Sequence, residues 1–216
     1  MKTLETIVEA IREEWTQQDQ VRDLTLQRSR LLIRHCANSI RATHRREYDE
    51  ARALLHEAAQ AAEIMQAEAA PFGDIASAGY LLDALKEYAE AALVLAFVTE
   101  GELPDPASLG MPNAPYLNGL GEAAGELRRY ALDAMRRDDL EQAERMLESM
   151  DEIYIHLVTM DFPDTLTRGL RRTTDMVRGV TERTRGDLTT AVGACKLQDA
   201  LRSFEARLER RASDDA

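Results

Sequence analysis

Residues 75–99, IASAGYLLDALKEYAEAALVLAFVT, decide the fold class of this 216-residue chain. Apart from one acidic stripe, the segment is apolar on nearly every face of a helix. A helix of this kind has little surface to offer water and belongs at the centre of a bundle. The segment therefore predicts a buried helix around which the rest of the chain packs.

The sequence on either side has the same helical period. Apolar residues recur at three- and four-residue spacing from Thr3 to about Thr43 and again from about Arg45 to Ala69. Four prolines interrupt the pattern between Gly101 and Pro115, which predicts a loop. Further helices are predicted over about 116–136, 139–159, 161–186 and 188–210, with a break near Gly186.

These patterns predict an all-α protein: one domain over residues 1–216, folded as an antiparallel bundle of six or seven helices, with residues 210–216 as a disordered tail. No segment shows the alternation expected of a strand. The longest apolar run, Ala91 to Val98, is too short to cross a membrane, and no apolar signal segment opens the sequence. We therefore expect a cytoplasmic protein without a membrane partner.

Glutamates on two of the predicted helices are the first candidates for chemistry. Glu87 and Glu90 share a stripe on the central helix, and Glu122 and Glu126 lie one turn apart on the next long helix. If these helices pack face to face, the four carboxylates converge on an all-oxygen site of the kind that binds Mg²⁺ or Mn²⁺. The alternative is a purely structural role, in which the glutamates form a solvated acidic face and pair with arginines such as Arg128.

Three glycines accompany the second pair of glutamates, in the segment GLGEAAGEL. Each of Gly119, Gly121 and Gly125 costs about 1 kcal/mol relative to alanine inside a helix, so a compensating reason is expected. Close approach to another backbone supplies that reason. The glycines therefore favour tight packing of this helix on a neighbour, with or without a metal.

Basic residues are concentrated near the end of the first helix, although the net charge of the chain is −12. Residues 24–46 hold six arginines, two histidines and no acid. The spacing of one subset suits contacts with a phosphate backbone as well as it suits ion pairs with acidic helices. A second group, from Arg168 to Arg185, is interleaved with acids and is interpreted as a salt-bridged surface. The candidate nucleic-acid-binding residues are Arg30, Arg34, Arg41 and Arg45.

Three segments resemble the translin and translin-associated factor X (Trax) family, in particular its archaeal members. They are LKEYAEA at 85–91, GLGEAAGELRR at 119–129, and MDFPD at 160–164 followed by GLRR at 169–172. They occur in the expected order, and the order of helices also fits, so the resemblance covers most of the chain.

The resemblance implies an all-α protein that assembles into a closed homo-oligomer, commonly an octamer, and binds single-stranded RNA or DNA. Trax-like subunits are Mg²⁺-dependent endoribonucleases, whereas translin subunits bind nucleic acid and lack an intact acidic site. Glu87, Glu90 and Glu126 match the acidic residues of Trax, and Glu122 stands where Trax has an aspartate. The chain is therefore Trax-like, with one ligand longer by a methylene group.

The leading hypothesis is an endoribonuclease that cuts single-stranded RNA with Mg²⁺, or Mn²⁺ in its place, held by Glu87, Glu90, Glu122 and Glu126. The alternative is a non-catalytic binder of single-stranded RNA or DNA in which these carboxylates are structural. A weaker third hypothesis is an all-α nucleotide pyrophosphohydrolase, because those enzymes also use paired helical glutamates. The second pair here lacks their Glu-x-x-Asp element.

Overall fold

The computed structural model describes residues 3–214, which form six long α-helices, two single-turn helices and no strand. The all-α prediction is confirmed. The long helices are α1 (Leu4–His44), α2 (Tyr48–Ala69), α4 (Gly79–Thr99), α5 (Asn113–Met135), α6 (Leu140–Leu157) and α8 (Leu170–Asp214), and the single turns are α3 (Gly73–Ala76) and α7 (Asp164–Thr167).

Helix α4 occupies the centre, as its sequence predicts. Most of its residues are buried, and it packs against α1, α2 and α5. Helix α5 continues the core on the other side, where it packs against α6 and α8. One continuous set of buried apolar side chains, running from Leu32 to Leu188, joins all six long helices.

The helices do not all alternate in direction. Antiparallel packing holds for α1 and α2, where Arg28 pairs with Glu68 and the Ser39 hydroxyl donates to the carbonyl of Ala51. In contrast, α4 and α5 run in the same direction, because the proline-rich segment 100–112 returns along the length of the bundle. This parallel pairing sets residues 86–90 beside residues 119–122.

Local signals set two helix starts. Thr3 caps α1 by accepting a hydrogen bond from the Thr6 amide, and Asp139 caps α6 by accepting one from the Gln142 amide. The predicted helix beginning near Pro163 was wrong in length. It lasts a single turn, because Arg168 and Gly169 both take positive φ angles and so turn the chain before α8 begins.

The predicted break near Gly186 was also wrong, since α8 continues through it to Asp214. Thr184 and Leu188, on either side of Gly186, are both buried, so packing on both flanks keeps the helix continuous there. Residues 210–214 of the predicted tail continue α8, and residues 215–216 lie outside the described range.

Both terminal helices extend beyond the core. With 41 residues, α1 is about 60 Å long, nearly twice the length of α2. Its first half exposes a stripe of large apolar side chains, and the last part of α8 exposes another. None of the described helices combines the length and apolarity that a membrane span requires. The two stripes contain Leu4, Ile7, Val8, Ile11 and Trp15 in α1, and Leu197, Leu201, Phe204 and Leu208 in α8.

Candidate metal centre

A single glycine allows α5 to lie directly against α4. A Cβ atom placed on Gly119 would lie 2.6 Å from the carbonyl oxygen of Lys86 and 2.7 Å from the Cβ of Ala89. No side chain fits that space, because one of the two neighbours is backbone. The close approach inferred from the sequence is therefore present at Gly119, one turn before the glutamates of α5.

Three of the four predicted carboxylates meet at this contact. Glu87, Glu90 and Glu122 each place an oxygen within 4.8 Å of the others. Glu90 is 9% exposed, and the other two are half-buried at the edge of the core. We call this set the acidic cluster.

The acidic cluster carries more negative charge than its surroundings balance. Burial, and after it the charges of Glu87 and Glu122, raise the pKa of Glu90 to about 8. The pKa of Glu87 is raised for the same reasons, burial first. Carboxyl groups that retain protons in this way mark a position where a cation is favourable.

Lys86 supplies a partial counter-charge that the sequence analysis missed. Its Nζ donates to Glu122 Oε1 at 2.7 Å and lies 3.9 Å from Glu87 Oε1. The available signal was its position four residues before Glu90, which sets it on the same helical face. Lys86 links the two helices across the site.

Glu126 stands beside the acidic cluster but outside the group of three, so the predicted set of four is only partly assembled. It is close enough to raise the pKa of Glu90. Its Oε2 lies 2.5 Å from His44 Nε2, and this hydrogen bond lowers the pKa of Glu126. His44 belongs to the basic residues 24–46, which we call the α1 block, but its side chain is 5% exposed and is buried against α5.

Known proteins resemble this chain over most of its length, although no protein-family model matches it. An uncharacterized protein of Methanocaldococcus jannaschii is 31% identical over 189 residues, which cover 87% of this chain and 83% of that protein. The structure of AfC3PO in complex with duplex RNA has a TM-score of 0.81 at 32% identity, covering 87% of this chain and 97% of that one. The chain belongs to the translin/Trax family.

A more distant structure, apo-NeC3PO, shares the fold alone. Its TM-score is 0.79 at 20% identity, and the match covers 88% of this chain and all of that chain. The resemblance drawn from short sequence segments is confirmed by the matches at 31% and 32% identity, each of which covers 87% of the chain.

The donor set of this translin/Trax chain fits a hard divalent cation. All three groups of the acidic cluster are carboxylates, which Mg²⁺ and Mn²⁺ prefer over nitrogen or sulfur ligands. Neighbouring ligands of an octahedral Mg²⁺ are about 3 Å apart and opposite ligands about 4.2 Å, so the three oxygens, which lie within 4.8 Å of one another, would have to draw closer by side-chain rotation to hold one ion. Lys86 is the group that a bound cation would displace from Glu122.

The arginines predicted to bind nucleic acid differ from one another. Arg45 pairs with Glu47 and Glu50, and Arg41 donates to the amide oxygen of Asn38. Arg30 and Arg34 are exposed and have no carboxylate within 4 Å among the side chains that the structure describes. The charge of the α1 block is thus partly neutralised. The sequence allowed for this, because the spacing of these arginines suits ion pairs as well as phosphate contacts.

The second arginine group also differs from its prediction as a salt-bridged surface. Of its six members only Arg185 forms ion pairs in the described part of the chain, with Asp151 at 2.6 Å and Glu182 at 4.0 Å. The acidic residues near these arginines follow one another along α8, and one of them, Asp187, forms an ion pair with Arg128 of α5 instead. Exposed guanidinium groups therefore remain at the start of α8.

Proposed function

We propose that this protein is a Mg²⁺-dependent endoribonuclease that acts on single-stranded RNA. The observation that carries the proposal is the meeting of Glu87, Glu90 and Glu122 within 4.8 Å at a tight helix contact. A cluster of carboxylates in which the pKa values of Glu87 and Glu90 are raised is costly to bury unless it serves a cation. The family of the chain supports the same chemistry.

In this proposal Glu87, Glu90 and Glu122 hold Mg²⁺, with Mn²⁺ as a substitute. A bound metal ion of this kind supplies an activated water and neutralises charge on the phosphoryl group. Glu126, held in place by His44, orients the attacking water from the side of the cluster. Rigid helices on both sides keep these carboxylates aligned before substrate arrives.

RNA binding is the part of the proposal with support from a relative, since AfC3PO has been solved with duplex RNA. We propose that exposed arginines hold the phosphate backbone of the substrate, with Arg30 and Arg34 as the unpaired members of the α1 block. Binding of this kind weakens as salt rises, because neutralised phosphates release counterions.

The test is cleavage of a fluorescent single-stranded RNA with Mg²⁺. Glu122→Gln should lower the cleavage rate at least about 100-fold, because it removes one ligand charge without changing side-chain size. Glu63→Gln, an exposed glutamate of α2, is the matched control and should cleave at the wild-type rate. Equal cleavage by Glu122→Gln would contradict the site. A duplex of the same sequence tests the strand preference.

The alternative function, a non-catalytic binder of single-stranded RNA or DNA, is favoured by the Lys86–Glu122 ion pair. In this case Lys86 is the permanent counter-charge and no metal is needed. Binding without any metal-dependent product, from RNA or from nucleoside triphosphates, would establish it. Release of pyrophosphate from the triphosphates would instead support the pyrophosphohydrolase.

We also propose that the chain forms a homo-oligomer, with an octamer as the family's common form. The apolar stripes of α1 and α8 lie on opposite overhangs of the bundle, where a second copy can cover them. Trp15→Glu combined with Leu201→Glu should reduce the mass measured by light scattering, while Ile64→Glu, at an exposed site on α2, should not. An unchanged mass would contradict this role for the stripes.

A further inference from the structure

A cleft of about 750 Å³ opens beside the acidic cluster. One wall, which we call the acidic wall, includes Asp83, Lys86 and Glu122, at the contact of α4 and α5. The opposite wall, which we call the basic wall, is the turn between α7 and α8 with the start of α8, where Arg168, Arg171 and Arg172 outnumber Asp164 and Asp175. The two walls therefore carry opposite net charge, and a strand that crosses the cleft passes Glu122 at the edge of the acidic cluster.

The basic wall is fixed to the acidic wall by buried hydrogen bonds. The Asn118 amide of α5 donates to the carbonyl of Thr167 at 2.8 Å and accepts from the Thr173 hydroxyl at 2.7 Å. Gly121 lets the helices touch, since its Cβ would lie 2.3 Å from a methyl carbon of Thr173. Asn118 is one turn before Glu122, so the same helix positions both walls.

The charges of the basic wall are available for a ligand. Arg171 and Arg172 are exposed, and no described carboxylate oxygen lies within 4 Å of either guanidinium group. Arg168 contacts only the carbonyl of Ser77, at 3.5 Å. Asp164 is engaged by the amide of Gly169, and Asp175, which also lines the cleft, forms no ion pair with Arg171 or Arg172 in the described part of the chain. In the α1 block, by comparison, Arg45 is neutralised by two glutamates.

We propose that Arg171 and Arg172 bind neighbouring phosphates of the single-stranded RNA substrate and direct the strand across the cleft to the acidic cluster. The proposal rests on the proposed function and assigns it a substrate path. Guanidinium groups bind phosphate oxygens in pairs of hydrogen bonds, which orients the strand as well as attracting it. The opposite wall repels phosphate, so the strand approaches the carboxylates only where a cation lies between them.

The test compares two double variants in binding assays with a fluorescent 20-nucleotide single-stranded RNA and Ca²⁺. Arg171→Gln with Arg172→Gln should raise the dissociation constant at least about tenfold. It should also reduce the slope of log affinity against log salt by about 1.4, for two lost phosphate contacts. Arg178→Gln with Arg183→Gln removes the same charge from α8 outside the cleft and should change affinity less than about twofold.

The outcomes separate this inference from the proposed function. If the wild type binds RNA and the Arg171/Arg172 variant binds it equally well, the substrate path is wrong and the proposed function stands. Equal losses in both double variants would show a general charge effect and would also overturn the path. Wild-type protein that binds no RNA would overturn the proposed function itself. Unchanged melting temperatures of both variants exclude misfolding as the cause of a loss.

Discussion

The two walls of the cleft are built in different ways. The acidic wall lies at a helix contact so tight that Gly119 cannot carry a side chain, and Glu90 is almost fully buried there. The basic wall presents exposed arginines on a turn that one buried amide, Asn118, fixes to α5. Groups that bind a small cation need fixed positions, whereas groups that attract a flexible polyanion can remain solvated.

This difference has an energetic side. The partly buried carboxylates of the acidic cluster repel one another and have lost hydration, so their charges destabilise the fold until a cation binds. The exposed guanidinium groups of the basic wall keep their hydration, so their charges cost little folding free energy. Substitutions in the acidic wall should therefore change stability and metal binding together, while those in the basic wall should change RNA affinity alone.

The largest effect is expected from Gly119→Ala. The new methyl group would overlap the Lys86 carbonyl, so the free energy of unfolding should fall by about 3 kcal/mol and metal affinity should fall with it. Gly125→Ala is the matched control, because nothing lies within 4 Å of the position that its new methyl group would take, and the helix gains propensity. Urea denaturation of both variants measures the contrast, and equal stabilities would contradict the tight contact.

A smaller loss, about 2 kcal/mol, is expected from Asn118→Ala. The change leaves the buried carbonyl of Thr167 and the Thr173 hydroxyl without their partner. RNA affinity should fall as the basic wall loosens, while Mn²⁺ affinity should stay near the wild-type value. Calorimetric titration with Mn²⁺ and RNA-binding assays separate the two, and a loss of Mn²⁺ affinity alone would contradict the division between the walls.

The raised pKa of Glu90 predicts a pH dependence of about 1 kcal/mol or more. Between pH 4.5 and about 8 the folded protein holds a proton that the unfolded chain has released, so stability in EDTA should fall as pH rises through this window. Above about pH 8 this contribution is constant. In Glu90→Gln the stability in EDTA should depend less on pH. Melting temperatures of both proteins, measured from pH 5 to 9, would show this. Parallel curves for both proteins would contradict the burial of this carboxyl group.

The smallest effect is expected from Lys86→Gln. Removing the ammonium group that competes for Glu122 should tighten Mn²⁺ binding about three- to tenfold. Lys196→Gln, at an exposed site on α8, removes the same charge far from the cluster and should leave the affinity unchanged. Weaker binding by Lys86→Gln would show that Lys86 supports the site rather than competing with the metal.

Periodicity predicted most of the helices but not where the chain turns around α7 and α8. Gly186 suggested a break because glycine weakens helices, yet burial on both of its flanks keeps α8 continuous. The true turn lies at Arg168 and Gly169, where an arginine takes a left-handed conformation that its residue type does not favour. Tertiary contacts, such as those of Asn118, support this turn.

The grouping of the carboxylates was also predicted only in part, because it too depends on contacts between helices. Glu87 and Glu90 were predicted from their shared stripe on the central helix, and Glu122 from its place in a glycine-rich helix segment that indicates close packing. The structure brings the three together. Lys86 and His44 were missed because their partners, Glu122 and Glu126, lie 36 and 82 residues away in the sequence. The arginines of α8 were misjudged, because acids nearby in sequence do not pair unless their side chains meet in space.

The sequence by itself determined the all-α class, the central position of α4 and the family, because helical period and short motifs are local properties of the chain. Only the tertiary structure decided the parallel pairing of α4 with α5, the partners of each carboxylate and the position of the unpaired arginines. Those features depend on contacts between residues far apart in sequence, and the energy of such contacts depends on the distance and burial that only the folded chain sets.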